Sequence, residues 1–216
     1  MQEEKEFEPI IEDPNGKQTL HALIALCREK ICYAPEHYQN DEKTWDLFGE
    51  GKFVCPFFEP DYKHRMPRPK NFDELTEYVA NGFFVQPTFT LNMLCFLAFN
   101  RIENEKRFRF REDLDAFFEE TFSISHEEAQ TIVRDIRNPG REEQGKRELH
   151  DLCVKKEVSQ KAEDMLYQEF LRTRPTITKY EVAVFAARQI YQIAYYQANY
   201  PEEYALVREE VIKDSH

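Results

Sequence analysis

The chain predicts an all-α fold: a single-domain helical bundle of about seven to nine helices. Two stretches carry the prediction, residues 88–99 (TFTLNMLCFLAF) and 182–196 (VAVFAARQIYQIAYY), because both are apolar on nearly every side. A helix of that kind is enclosed by other elements rather than laid on a surface. The remainder is strongly charged, 32% Asp, Glu, Lys and Arg, which suits amphipathic helices around two buried central ones, about 88–101 and 179–199. Six glycines in 216 residues argue against a turn-rich all-β fold.

The elements follow in order. Residues 1–16 hold six acids against one lysine and end in Pro14-Asn15-Gly16, so a mobile acidic arm is expected before a single domain over 17–216. Leu20, Leu23, Ile24, Cys27 and Ile31 recur at helical spacing, which predicts a helix over about 17–34 with its stop at Pro35. Residues 35–70 are the least regular part. One or two helical turns around Trp45 are expected before Gly49 and Gly51, and Pro56, Pro60, Pro67 and Pro69 then keep the chain extended. Asn71-Phe72-Asp73-Glu74 has capping-box spacing and predicts a helix over 72–81. After the first central helix, residues 106–111 (KRFRFR) alternate with a strand period too short to define a strand. Helix resumes over 114–122. Ser125-His126-Glu127-Glu128 opens another to about 137, and Asn138-Pro139-Gly140 stops it, the one place for an internal boundary. One or two polar helices fill 141–173. Thr178-Lys179-Tyr180-Glu181 is a third capping box, and Pro201 opens the last helix, over 201–213.

Composition excludes some functions. A net charge of −12 repels nucleic acid and anionic lipid and favours, at most, basic partners. Five cysteines, several inside apolar helical patterns, are not a disulfide scaffold and fit reduced thiols. The acidic start, MQEEKEFEPIIEDP, lacks the basic and apolar regions of a signal peptide. No apolar run reaches the ~18 residues of a membrane span. A cytoplasmic protein is therefore expected.

Few constellations carry chemistry. In Glu148-Leu149-His150-Asp151-Leu152-Cys153, the His150-Asp151 pair resembles the signature of HD-domain phosphohydrolases. That resemblance implies a divalent metal held by His150 and Asp151, with His126 upstream and Asp164 or Asp214 downstream. The metal would polarise a phosphate oxygen and acidify a bound water. The residues after Asp151, Leu-Cys-Val-Lys-Lys, depart from the small or glycine residue usual there. His21, Cys27, Cys32 and His37 are zinc-ligand types, but positions 27 and 32 lie about 140° apart on a helix and face different ways. Cys55 near His64 is a bare Cys-His pair. No His-Glu-x-x-His, P-loop or G-x-G-x-x-G is present, and no Glu stands three residues before any of the six histidines.

Two basic islands stand against the acidic background. Residues 63–70 contain Lys63, Arg65, Arg68 and Lys70, and residues 101–111 interleave Arg107, Arg109 and Arg111 with Phe108 and Phe110. Basic residues alternating with aromatics suit a phosphate backbone or a phosphate-bearing ligand. The alternative has the phenylalanines packed inward and the arginines paired with nearby acids. Residues 113–137 have a helix-turn-helix outline, with Glu127 and Glu128 where DNA contacts would lie. Tyr180, Tyr191, Tyr195, Tyr196, Tyr200 and Tyr204 suit helix packing or an interface. The leading expectation is a soluble helical protein-interaction module without a cofactor, working through residues 52–70, residues 101–111 or the Tyr-rich helix. The alternatives are a metal-dependent phosphohydrolase and a binder of nucleic acid or another anionic ligand. The sequence does not fix the oligomeric state.

Overall fold

The computed structural model describes residues 19–35, 40–54, 68–80, 109–173 and 178–214. As expected, they form an all-α protein: among the described residues there are nine helices and no strand. The helices are α1 (Thr19–Ile31), α2 (Glu42–Gly49), α3 (Phe72–Ala80), α4 (Arg111–Phe122), α5 (His126–Arg137), α6 (Glu142–Lys155), α7 (Gln160–Thr173), α8 (Tyr180–Asn199) and α9 (Pro201–Asp214). The second expected central helix is α8, and the polar 141–173 stretch is two helices. The expected N-terminal arm and the expected helix over 88–101 lie outside the described residues. No helix among the described residues is long and apolar enough to cross a membrane.

The chain divides into two compact units, Met1–Thr76 with Val184–His216, and Glu77–Ala183. In the first unit α8 supplies the axis. Between residues 182 and 199 only Arg188 is exposed. Tyr191, Ile193, Ala194 and Tyr196 are fully buried, as are Trp45 and Phe48 of α2 and Leu23 and Cys27 of α1. The Trp45 and Tyr191 rings lie 5.0 Å apart. Helices α1 and α9 pack on each other, so Leu20, Ile24, Tyr204, Val207 and Val211 turn inward.

A buried helix must satisfy its polar side chains, and α8 does so on irregular backbone. Gln197 accepts from the Val54 N–H and donates to the Lys52 carbonyl, both at 3.0 Å. Tyr196 donates to the Tyr33 carbonyl at 2.6 Å, and Gln192 donates to that of Pro35 at 3.3 Å. Asn199 donates to Asp41 at 2.9 Å, and the same carboxylate caps α2 through the Thr44 N–H at 3.0 Å. Loop segments on either side of α2 are thus held by one helix.

The second unit is built on α4, α5, α6 and α7. Helix α5 packs against the other three, around Phe118, Val133, Ile136, Leu149, Cys153, Leu166 and Phe170. The Asn138-Pro139-Gly140 stop lies within this unit, between two helices that pack together. The α5–α6 approach depends on a missing side chain. A Cβ on Gly145 would lie 2.4 Å from the Ile136 nitrogen and 2.7 Å from the Asp135 carbonyl carbon. Backbone cannot swing aside as a side chain can. Gly145→Ala is therefore expected to destabilise the chain by about 1–3 kcal/mol despite its better helix propensity. Urea unfolding followed by circular dichroism checks this; an unchanged midpoint would mean that the two helices separate without cost.

Candidate functional site

The sequence-derived candidates fall in three places. The first is the α6–α7 pair of the second unit. Register puts Arg147, His150 and Val154 on the exposed face of α6, with Leu149, Leu152 and Cys153 on the buried face. His150 Nδ1 lies 3.0 Å from both carboxylate oxygens of Glu163, in the first turn of α7. The ring is half exposed and the Glu163 side chain is buried. Asp151, the other half of the His-Asp pair, is exposed. His126 opens α5 with Nδ1 2.5 Å from Glu119 Oε1 and Nε2 3.0 Å from Gln130 Nε2. The Glu119 hydrogen bond and charge hold the His126 imidazolium above its ordinary pKa. Among the described residues no group of three or more His, Cys, Asp or Glu side chains is placed to hold a metal ion, so His126, His150 and Asp151 are not brought together as one ligand set. Asp164 instead accepts from Gln160 at 3.1 Å.

The thiols divide as the spacing predicts. Cys27 is buried, and burial pushes it up to about 12, whereas Cys32 is exposed. Burial, with the Glu163 charge, pushes Cys153 up to about 12 as well. Thiols so shifted are poor nucleophiles. His37, Cys55 and His64 lie outside the described residues.

The second place is the described ends of the basic islands. Lys63, Arg65, Arg107 and Phe108 lie outside the described residues. Arg68 is clamped by two acids of α2, its Nε donating to Asp46 at 2.7 Å and its Nη2 to Glu42. Arg109 donates to Glu77 at 3.3 Å and sits over the Phe110 ring. Phe110 makes an edge contact with Tyr180, centroids 5.0 Å apart. Asp113 accepts from the backbone N–H of Arg109 and Phe110, at 2.6 and 2.9 Å, and so finishes the start of α4. Arg111 is half buried. No protein-family model matches this chain, and no curated protein matches it.

The α4 start also joins other helix ends of the unit. Thr178 N–H donates to the Ala80 carbonyl at 3.1 Å, and the Thr178 carbonyl accepts from Arg111 N–H at 2.9 Å. The expected Thr178–Glu181 box does not cap α8. The Glu112 carboxylate accepts from Tyr180 N–H at 3.1 Å instead, while Thr178 Oγ1 is buried without a hydrogen bond among the described residues. A carboxylate carries charge as well as an acceptor to a helix N-terminus, and a hydroxyl does not.

The third place is the C-terminal pair of helices, where sequence reasoning singled out only the tyrosines. Tyr191 and Tyr196 are buried, and burial pushes each up to about 12. They serve packing. The exposed face belongs to α9: Glu202, Glu203, Leu206 and Glu209, with Leu206 66% exposed. Its signal in the sequence was the spacing of Tyr204, Val207 and Val211, which turns these four residues outward.

Asp115 gives a test of the α4 electrostatics. It is buried and its Oδ1 has no hydrogen bond among the described residues. Burial pushes its carboxyl above the ordinary value, while the charges of Arg111, His126 and Lys179 pull the other way. Between the ordinary and the raised pKa, the folded chain keeps a proton that the unfolded chain has lost. Stability therefore falls as pH rises through that window and stays lower above it. Asp115→Asn is expected to raise the melting temperature at about pH 7, with the gain disappearing below about pH 3.8. Melting followed by circular dichroism across pH checks this, and a destabilised variant at neutral pH would assign the carboxylate a charged partner.

Proposed function

We propose that this chain is a helical protein-interaction module whose C-terminal helix takes a basic partner. The observation that carries the reading is Leu206, 66% exposed on α9 among the outward carboxylates of Glu202, Glu203 and Glu209. An apolar side chain ringed by like charge suits a segment that brings an apolar contact and several cations together. The net charge of −12 steers such a segment toward the chain. Arg68 and Arg109 are already engaged by carboxylates of the chain itself, which weighs toward a basic partner over an anionic one. We place the module in a reducing, cytosol-like compartment. The free thiols of Cys27, Cys32 and Cys153 support that placement.

The test uses two labelled synthetic helical peptides, one Lys- and Leu-rich and one with Glu in place of each Lys. Fluorescence anisotropy with the full chain is expected to show binding of the basic peptide alone, weakening as salt is added. A Glu203→Lys, Leu206→Ala double variant should bind about tenfold more weakly or worse. Equal binding of both peptides, or an unchanged affinity in the variant, rejects the reading.

A further inference from the structure

The His150–Glu163 pair has a geometry that packing alone does not require. An ionised carboxylate only accepts hydrogen bonds, so the ring nitrogen facing it, Nδ1, carries the proton. Both Glu163 oxygens lie 3.0 Å from that nitrogen. In the neutral ring the pair therefore puts the proton on Nδ1 and the lone pair on Nε2. Nε2 takes no hydrogen bond among the described residues, and the imidazole side chain is 49% exposed. A carboxylate so placed orients the ring and compensates positive charge that develops on it when the other nitrogen attacks an electrophile. Cys153, one turn further along α6, does not compete, because its thiol is buried.

The surroundings select the electrophile. Arg147 lies one turn before His150 on the same exposed face of α6. Glu163 belongs to the first turn of α7, where Ser159 already takes the Ala162 and Glu163 N–H groups, so the attraction for an anion comes from Arg147. We propose that His150 is a phosphoryl-acceptor site, modified at Nε2 by an acyl phosphate. The Nε2 lone pair attacks phosphorus, the Nε2–P bond forms, and the P–O bond to the acyl group breaks. The carboxylate leaves with the electron pair. Nδ1 keeps its proton, and Glu163 balances the charge on the ring. Arg147 holds the phosphoryl oxygens. This site is independent of the α9 face.

The probe is acetyl phosphate, with phosphoramidate as a second donor, on the full chain. Acid-labile phosphate is followed by phosphorus NMR and placed by mass spectrometry of fragments. The expected result is one phosphoryl group on His150. His126, with both ring nitrogens engaged by Glu119 and Gln130, is the internal control and should stay unmodified. His150→Gln should abolish labelling. Glu163→Gln, nearly the same shape, should slow it about tenfold or more, within the ordinary contribution of a positioned proton partner. Arg147→Ala changes no buried group and should raise the donor concentration needed for half-maximal rate, which keeps the test decisive if Glu163→Gln fails to fold. Labelling at His126 as fast as at His150 would overturn the proposal. So would an unchanged rate in folded Glu163→Gln, or an unchanged donor dependence in Arg147→Ala.

Discussion

The first unit depends on the enclosure of α8. A helix with a single exposed position between residues 182 and 199 leaves its amides and hydroxyls little access to water. Gln192, Tyr196, Gln197 and Asn199 must find protein partners, and they find them on backbone that belongs to no helix or on the Asp41 carboxylate. The need runs both ways. The backbone around Tyr33, Pro35 and residues 52–54 has no ladder of its own, and an unsatisfied buried backbone group costs about 1–3 kcal/mol. Each hydrogen bond settles a debt on both sides, so the irregular segments are positioned by the same residues that make α8 tolerable as a buried helix.

The second unit solves a different problem. Its helices are polar outside and meet along a dense core in which a single absent Cβ, at Gly145, sets how closely α5 and α6 approach. At that crossing Asp135 is fully buried. Its Oδ1 accepts from Arg134 Nε at 2.8 Å and lies 3.6 Å from Arg141. A buried carboxylate is tolerable beside cations held so close. In the first unit the carboxylates that Arg68 joins, Glu42 and Asp46, are exposed instead. Arg68, which reads in sequence as part of a basic island, is thus tied to α2, and the exposed face of α9 carries carboxylates.

The helices were legible because their signals are local. Gly49, Asn138-Pro139-Gly140 and Pro201 mark ends that a short window of sequence reveals, whereas α1 stops at Ile31, short of the expected Pro35, where Cys32 takes a φ of 55°. The caps at Asn71 and Ser125 accept the N–H groups of Glu74 and Glu128 as their spacing predicts. The alternation over 106–111 ended differently: its last residue, Arg111, begins α4. What escaped was every pairing across elements. Glu163 as the partner of His150, Glu77 as that of Arg109, and Glu112 as the cap of α8 depend on where helices cross, and helical spacing holds no record of that. The His-Asp pair was a sequence neighbour, whereas the carboxylate that His150 meets lies thirteen residues away on another helix.

The knot at Thr178 has a kinetic consequence. Its N–H closes on the end of α3, its carbonyl receives the first N–H of α4, and two residues later α8 begins under the Glu112 carboxylate. The amide protons of Arg111, Thr178 and Tyr180 come from two stretches of the chain and meet in one set of hydrogen bonds. In deuterated water they should exchange together, through a single opening, rather than each at the rate of its own helix end. Three helix termini that would ordinarily fray independently are joined into one cooperative seam.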